Sequence, residues 1–218
     1  MAELKKTKKS IIKLIHQIMY DFDRIAIKND IQYWTSGGTT LGAIRHKSCI
    51  PWDDDVDVCM RSSDLKKFLS LKSQLKKCGY FIVKTWFGYK ICFEDRHIIE
   101  GFDYSFPNLD VFLMKYDSLT RKWIPKYKAV RDTWPKDYYY DSQLFPLKRI
   151  AYASYFVSVP KDSEKYLNRM YGKDWNKVAY REYDHEKEEA VKKVIVQLTH
   201  EDRLPAQPIK VKKRRCIN

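Results

Sequence analysis

The chain has 218 residues, 44% of them hydrophobic and 15% aromatic, enough apolar surface to bury a core and to exclude global disorder. Lys and Arg number 42 against 28 Asp and Glu, and the net charge of +14 favours polyanionic partners: nucleic acid, an anionic membrane or phosphorylated substrates. Five cysteines without a CxxC pair speak against a zinc or disulfide framework and for reduced thiols. No apolar run reaches transmembrane length, and the basic start leads into an amphipathic stretch rather than a signal-peptide core, so a cytoplasmic chain is expected.

Taken in order, residues 8–28 place Ile11, Ile12, Leu14, Ile15, Ile18, Met19, Phe22 and Ile25 on one helical face. A helix packed on the core is the expectation, ahead of a basic amphipathic helix on a membrane surface. A first strand follows over 31–35, ended by Ser36-Gly37-Gly38, and a short helix over 39–45 with Thr39 or Thr40 as cap. Pro51 keeps 49–52 as loop. Residues 54–60 alternate as a strand with Val56, Val58 and Met60 on one side and Asp53, Asp55, Asp57 and Cys59 on the other; Asp54 points away, toward solvent or a structural role.

A helix spans 64–77, stopped by Gly79, and strands occupy 80–85 and 89–93. Residues 94–99 form a turn. A strand over 108–115 carries Asp110 among apolar neighbours. Residues 116–141 read as an extended flap with a short helix, 147–154 and 155–159 as two short strands, and 163–171 as a helix ended by Gly172. A last, charged helix is expected over 184–199, and a basic, mobile tail over 205–218.

The chemistry concentrates in Tyr33 to Met60. Residues i and i+2 of a strand point the same way, so Asp55 and Asp57 can hold one hard cation between them, with Asp53 as a further ligand or outer acceptor. Asp110 is the expected third carboxylate, because burying it among Leu109, Val111 and Phe112 is costly without a partner and a cation supplies one. Gly37 and Gly38 let the backbone approach a phosphate, and the N–H groups of the following helix offer an anion cradle. Ser36, Thr39, Arg45, His46, Lys47 and Trp52 complete the candidate substrate-binding set. The pattern is neither a P-loop nor GxGxxG.

These residues resemble the LicD family, which includes bacterial phosphocholine transferases and is related to fukutin and fukutin-related protein. The likeness runs through YWTSGGTTLGAIRHKSCIPWDDDVDV, returns at Leu109-Asp110-Val111-Phe112, and again at Val159-Pro160, Tyr166-Leu167 and Tyr171 to Trp175, covering roughly 10–176. The resemblance implies a nucleotidyltransferase-like fold and metal-dependent transfer of a phospho-substituent from a CDP-activated donor to a glycan or related hydroxyl. By position it assigns Asp55, Asp57 and Asp110 to the metal, Asp53 beside them, and Gly37 and Gly38 to the phosphate turn. Two departures stand out. Tyr152-Ala153-Ser154 replaces the family's aromatic-Glu-Gly, and the zinc-binding cysteine segment and membrane anchor of fukutin-related protein have no counterpart.

The expected fold is therefore α+β, a nucleotidyltransferase-like mixed β-sheet flanked by helices with a helical C-terminal extension: a catalytic domain over 1–180, a helix over 181–204 and a flexible basic tail over 205–218. The expected activity is a Mg²⁺- or Mn²⁺-dependent phosphotransferase taking a CDP-alcohol donor and a glycoconjugate acceptor. The alternatives are a nucleotidyltransferase that releases pyrophosphate, and a non-catalytic basic scaffold or nucleic-acid-binding protein, with nucleic acid the less favoured partner.

Overall fold

The structure is a computed structural model that describes residues 4–207 and 210–214, the side chains of 180–182 excepted. In chain order, α1 (Lys9–Lys28), β1 (Tyr33–Thr35), α2 (Gly37–Arg45), β2 (Val56–Arg61), α3 (Leu65–Ser70), α4 (Lys72–Lys77), β3 (Tyr80–Lys84), β4 (Gly88–Phe93) and β5 (Asn108–Asp117) build the first half. There follow β6 (Lys122–Pro125), α5 (Lys128–Thr133), β7 (Tyr139–Tyr140), α6 (Asp141–Leu144), β8 (Lys148–Tyr152), β9 (Tyr155–Val159), α7 (Ser163–Tyr171), β10 (Val178–Asp184) and β11 (Glu189–Gln197).

The main sheet runs β1-β2-β5-β4-β3, with β6 against the end of β5 and β7 against β6. β2 and β5 pair in parallel and the other neighbours are antiparallel. Side-chain parity then sorts the two faces. Val56, Val58 and Met60 of β2, Tyr89, Ile91 and Phe93 of β4, and Leu109, Val111 and Leu113 of β5 join the apolar stripe of α1 in one core. That stripe is buried, so α1 is a core helix, and no described helix is long and apolar enough to cross a membrane. Residues of the other parity, Asp57, Asp110 and Lys90, stand side by side in register on the opposite face. There a second apolar cluster joins Trp34, Cys59 and Phe112 to Val130 and Tyr139 of the 116–141 flap and to Tyr166 and Leu167 of α7.

Four expectations need correction. The single helix over 64–77 is two short ones, α3 and α4, broken at Leu71. The charged helix over 184–199, and with it the helical C-terminal extension, is the antiparallel hairpin β10–β11. The misreading has a physical root. Asp184 Oδ1 accepts the N–H groups of Glu186 and Lys187, bonds that serve a helix N-cap and an Asx turn alike. The β-branched Val191, Val194, Ile195 and Val196 decide for strand, and Glu188 closes the turn with φ +53°. The tail is not loose over 210–214. Gln17 exchanges two bonds of 2.9 Å with the backbone of Lys212, and Arg214 pairs with Asp21 at 3.1 Å and bonds the Cys78 carbonyl. Arg215 and the residues after it lie outside the described set. Finally, Cys49, Cys59 and Cys92 are free and buried, but Cys78 is disulfide-bonded, so the thiols are not all reduced.

His16 ties α1 to the β8–β9 side of the core. Its Nδ1 lies 3.1 Å from Tyr155 Oη and its Nε2 3.0 Å from Ser48 Oγ. Burial lowers its pKa to about 4, and burial lowers that of His46 to about 4 as well. A base neutral in the fold and protonated in the unfolded chain stabilises fully above the unfolded pKa of about 6.5, and this contribution is lost as pH falls from there to the folded value. Each histidine then steepens the loss by about 1.4 kcal/mol per pH unit across that window. His16→Gln is expected to flatten the pH dependence of urea-unfolding stability by about one such increment; an unchanged slope would show that His16 is not held neutral.

Candidate functional site

Ser36 leaves β1 extended, and Gly37 starts α2 at φ +48°, a conformation glycine adopts without strain. The two glycines are needed for a closer reason too. A Cβ on Gly37 would meet Asp57 Oδ2 at 3.0 Å, and one on Gly38 would meet Asp53 Oδ2 at 2.7 Å. The turn is thus bare so that carboxylates can lie against the backbone. Its polar groups are engaged within the protein: Ser36 Oγ bonds the Tyr139 and Tyr166 hydroxyls at 3.0 and 3.2 Å. The Gly37 N–H donates to Tyr166 Oη at 2.9 Å, and Thr39 Oγ1 accepts the Asp57 N–H at 2.7 Å.

Asp57 of β2 and Asp110 of β5 are direct cross-strand partners in the parallel register. With Asp55, just before β2, they present oxygens within 4.8 Å of one another. Asp53 belongs to neither this group nor a second one formed by Asp54, Asp55 and His185. Three carboxylate oxygens suit a hard divalent cation such as Mg²⁺ or Mn²⁺, so the donor chemistry fits the ion that the sequence pattern suggests.

The burial of Asp110 is compensated by a residue that the sequence reading passed over. Lys90 Nζ donates to both its oxygens, at 2.8 and 3.1 Å, and both side chains are nearly inaccessible. Burial pushes the Asp110 carboxyl up to about 6, with Lys90 opposing and Asp55 adding to the rise. Burial opposes the Lys90 charge, but Asp110 prevails and holds the ammonium above its ordinary range. Asp57 is driven well above the carboxylate range by burial and then by Asp55, Asp110 and Asp53. Lys90 was legible in principle: within GYKICF the parity of Tyr89, Ile91 and Phe93 sends it to the face of Asp110.

The other missed residue is His185, at the hairpin tip. Nδ1 lies 2.7 Å from Asp54 Oδ1 and Nε2 3.3 Å from Asp55 Oδ2. Burial works against its charge, but Asp55, Asp54 and Asp53 raise its pKa well above the ordinary value. Asp54 is therefore buried and paired in the site, contrary to the outward orientation that strand parity suggested, because the chain is irregular before β2 starts at Val56. No motif marked His185, since the charged run around it read as helix.

Of the remaining candidates, Arg45 and Trp52 lie beside Asp53 and Asp54, whereas His46 and Lys47 line neither of the two pockets at the acids. Arg45 donates to the Val178 carbonyl at 3.1 Å and lies over Trp52. His46 is buried edge-on to Trp52. Lys47 bonds the Ile44 carbonyl at 3.0 Å at the end of α2. Arg45 and Trp52 line a pocket of about 180 Å³ that adjoins Asp53 and Asp54. The acids themselves floor a larger cleft of about 550 Å³. One wall is aromatic: Trp86 stacks on Trp134 at 5.4 Å and Phe87 on Phe112 at 4.7 Å. Asp137 and Tyr166 form part of the other, joined by a bond of 3.1 Å.

A glycine turn between strand and helix, with acids at the start of the next strand and another on its neighbour, is the arrangement of a nucleotidyltransferase domain. More narrowly, the chain belongs to the LicD/FKTN/FKRP nucleotidyltransferase domain family, whose model matches residues 30–162, more than half of its length. An uncharacterized protein of Rickettsia prowazekii, RP689, is 33% identical over 165 residues, 76% of this chain and 56% of that one. The lipopolysaccharide cholinephosphotransferase LicD of Haemophilus influenzae is 44% identical over 50 residues, 23% of this chain and 19% of its own. Human ribitol 5-phosphate transferase FKRP is 25% identical over 154 residues, 65% of this chain and 28% of its own. The chain spans about half the length of the rickettsial relatives it matches.

Removing one partner of a buried ion pair strands the other, at a cost of about 3–5 kcal/mol. Lys90→Met is expected to lose about 3 kcal/mol of unfolding free energy by urea titration, and Lys90→Met/Asp110→Leu to recover most of it. A double variant no more stable than the single one would show that the pair is not what balances Asp110.

Proposed function

We propose that this chain is a divalent-metal-dependent phosphotransferase that moves a phospho-alcohol from a CDP-activated donor to a hydroxyl of a glycan or related acceptor. The observation that carries the reading is the convergence of Asp55 with the cross-strand pair Asp57 and Asp110 beside the Ser36-Gly37-Gly38 turn, at the floor of a cleft of about 550 Å³. Family membership supports it, since two relatives are named for transfer of choline phosphate and ribitol 5-phosphate.

In this reading the acceptor oxygen attacks the phosphorus that bears the alcohol, the bond to CMP breaks, and the hydroxyl proton passes to a carboxylate of the cleft. A divalent ion held by Asp55, Asp57 and Asp110 would offset charge on the diphosphate and on the departing CMP. Lys90 keeps Asp110 ionised and fixes its direction. The start of α2 adds a positive dipole end beside the phosphates. Trp86, Phe87, Phe112 and Trp134 form one wall of the cleft and would offer apolar surface to the donor or acceptor. Asp110 is engaged by Lys90 at both oxygens, so of the two roles open to it, ligand and proton acceptor, we retain ligand.

The test is product analysis with Mn²⁺ or Mg²⁺ and a panel of CDP-choline, CDP-ribitol, CDP-glycerol, CTP and UDP-sugars. CMP release from one of the CDP-alcohols is expected. Pyrophosphate release from CTP would instead establish nucleotidyl transfer. Asp57→Asn is expected to abolish CMP release and yet, by removing one of several crowded carboxylates, to raise the metal-free melting temperature by about 2–4 °C. Retained turnover in that variant would remove Asp57 from the mechanism.

A further inference from the structure

The hairpin β10–β11 lies beyond the family-matched segment, and its tip still reaches the acids. The Asx turn at Asp184 and the positive φ of Glu188 fix the tip, and His185 projects from it into the cleft.

The two ring nitrogens have unequal surroundings. Nδ1 is 2.7 Å from Asp54 Oδ1, a short hydrogen bond in which the ring N–H donates to a carboxylate. A carboxylate on the far nitrogen is what sets the tautomer and direction of a metal-bound histidine. Nε2 is 3.3 Å from Asp55 Oδ2, longer than the first contact. Two ligand atoms at about 2.1 Å from one ion, at angles of about 90° to 109°, lie about 3.0–3.5 Å apart. The Nε2–Asp55 spacing falls in that interval. Asp55 is also the residue shared between the three-carboxylate group and the Asp54–Asp55–His185 group.

We propose that His185 is a nitrogen ligand of the cation held at Asp55, with Asp54 as the carboxylate that orients it, so that the site selects a transition ion such as Mn²⁺ over Mg²⁺. Imidazole nitrogen suits transition ions, whereas Mg²⁺ keeps to oxygen. The assignment rests on the metal site of the reading above, not on its donor. It also gives Asp54 a role, as the carboxylate that aims the ring. An ion pair that did no more than neutralise the acids would predict the opposite behaviour, because removing His185 would free Asp55 and tighten cation binding.

The experiment uses the full chain with metal alone, without nucleotide. Isothermal titration with Mn²⁺ and separately with Mg²⁺ is read alongside pulsed electron paramagnetic resonance of the Mn²⁺ form. Wild type is expected to bind Mn²⁺ the more tightly and to show ¹⁴N modulation from a bound imidazole. His185→Gln, checked for an unchanged melt, is expected to lose the ¹⁴N signal and more than about tenfold in Mn²⁺ affinity, with Mg²⁺ affinity little altered; Asp54→Asn is expected to cost about tenfold for Mn²⁺. No ¹⁴N signal in wild type, or Mn²⁺ binding by His185→Gln as tight as wild type or tighter, overturns the proposal. Asp57→Asn separates the two readings. If it keeps Mn²⁺ bound with the ¹⁴N signal intact, the three-carboxylate site of the proposed function fails while the His185 assignment stands. Failure of every CDP donor leaves the metal readouts untouched.

Discussion

Asp57 and Asp110 are held opposite each other by the parallel pairing of β2 and β5, with Asp55 beside them and oxygens of all three within 4.8 Å. At an effective dielectric near 20, two unit charges about 4 Å apart repel by about 4 kcal/mol. A chain that assembles such a group on the inner face of a sheet must supply counter-charge, or leave some of the group protonated. Much of the local structure can be understood as an answer to that demand. Lys90 takes the place opposite Asp110 on β4. The β10–β11 tip brings His185 to Asp54 and Asp55. The residual repulsion shows in the raised pKa of Asp57 and Asp53, where burial acts first and neighbouring carboxylates second.

The same demand explains the glycine turn in a way that phosphate binding alone does not. With side chains at 37 and 38, Asp57 and Asp53 would collide with the start of α2. Glycine there lets the acids approach a helix N-terminus, whose dipole favours negative charge. The turn is braced from behind by Ser36, Tyr139 and Tyr166, so the flap and α7 are fixed to the same few atoms that set the acid geometry. Misplacing α7 would therefore be felt at β2, although the two share no hydrogen-bonded ladder.

What could be read beforehand follows from which interactions are periodic. Alternation in β2 and β5 put Val56, Val58, Leu109 and Val111 in the core and sent Asp57 and Asp110 to the other face, and the helical stripe of α1 gave its buried side. The same alternation in β4 contained Lys90, but a lysine on a strand looks like a solvated edge residue until its cross-strand partner is known. Asp54 escaped because parity ends where regular strand ends, one residue before Val56. His185 could not be placed by any local rule: Asp184 followed by charged residues is as good a helix cap as a turn, and only the pairing of β11 with β10 separates the two. Arg45, His46 and Lys47 are placed by a related constraint. They lie close to the acids in sequence, but α2 ends at Arg45 and turns them toward Val178, Trp52 and Ile44.

These distinctions bear on where specificity can be located. The family-matched segment, 30–162, holds the carboxylates, Lys90 and the glycine turn. Tyr166 and Tyr171 of α7, and Tyr183, His185 and Glu188 of the hairpin, come after it and line the same cleft. Trp86 and Trp134 lie within the segment, but on the β3–β4 turn and after α5, where the sheet imposes no register on side-chain identity. The cleft is thus divided between a constrained floor, where charge balance fixes each residue, and walls in which aromatic groups other than Tyr166, which braces the glycine turn, can change without disturbing that balance. Substitution in the walls reshapes the cleft, whereas substitution in the floor disturbs the counter-charge that lets the acids coexist.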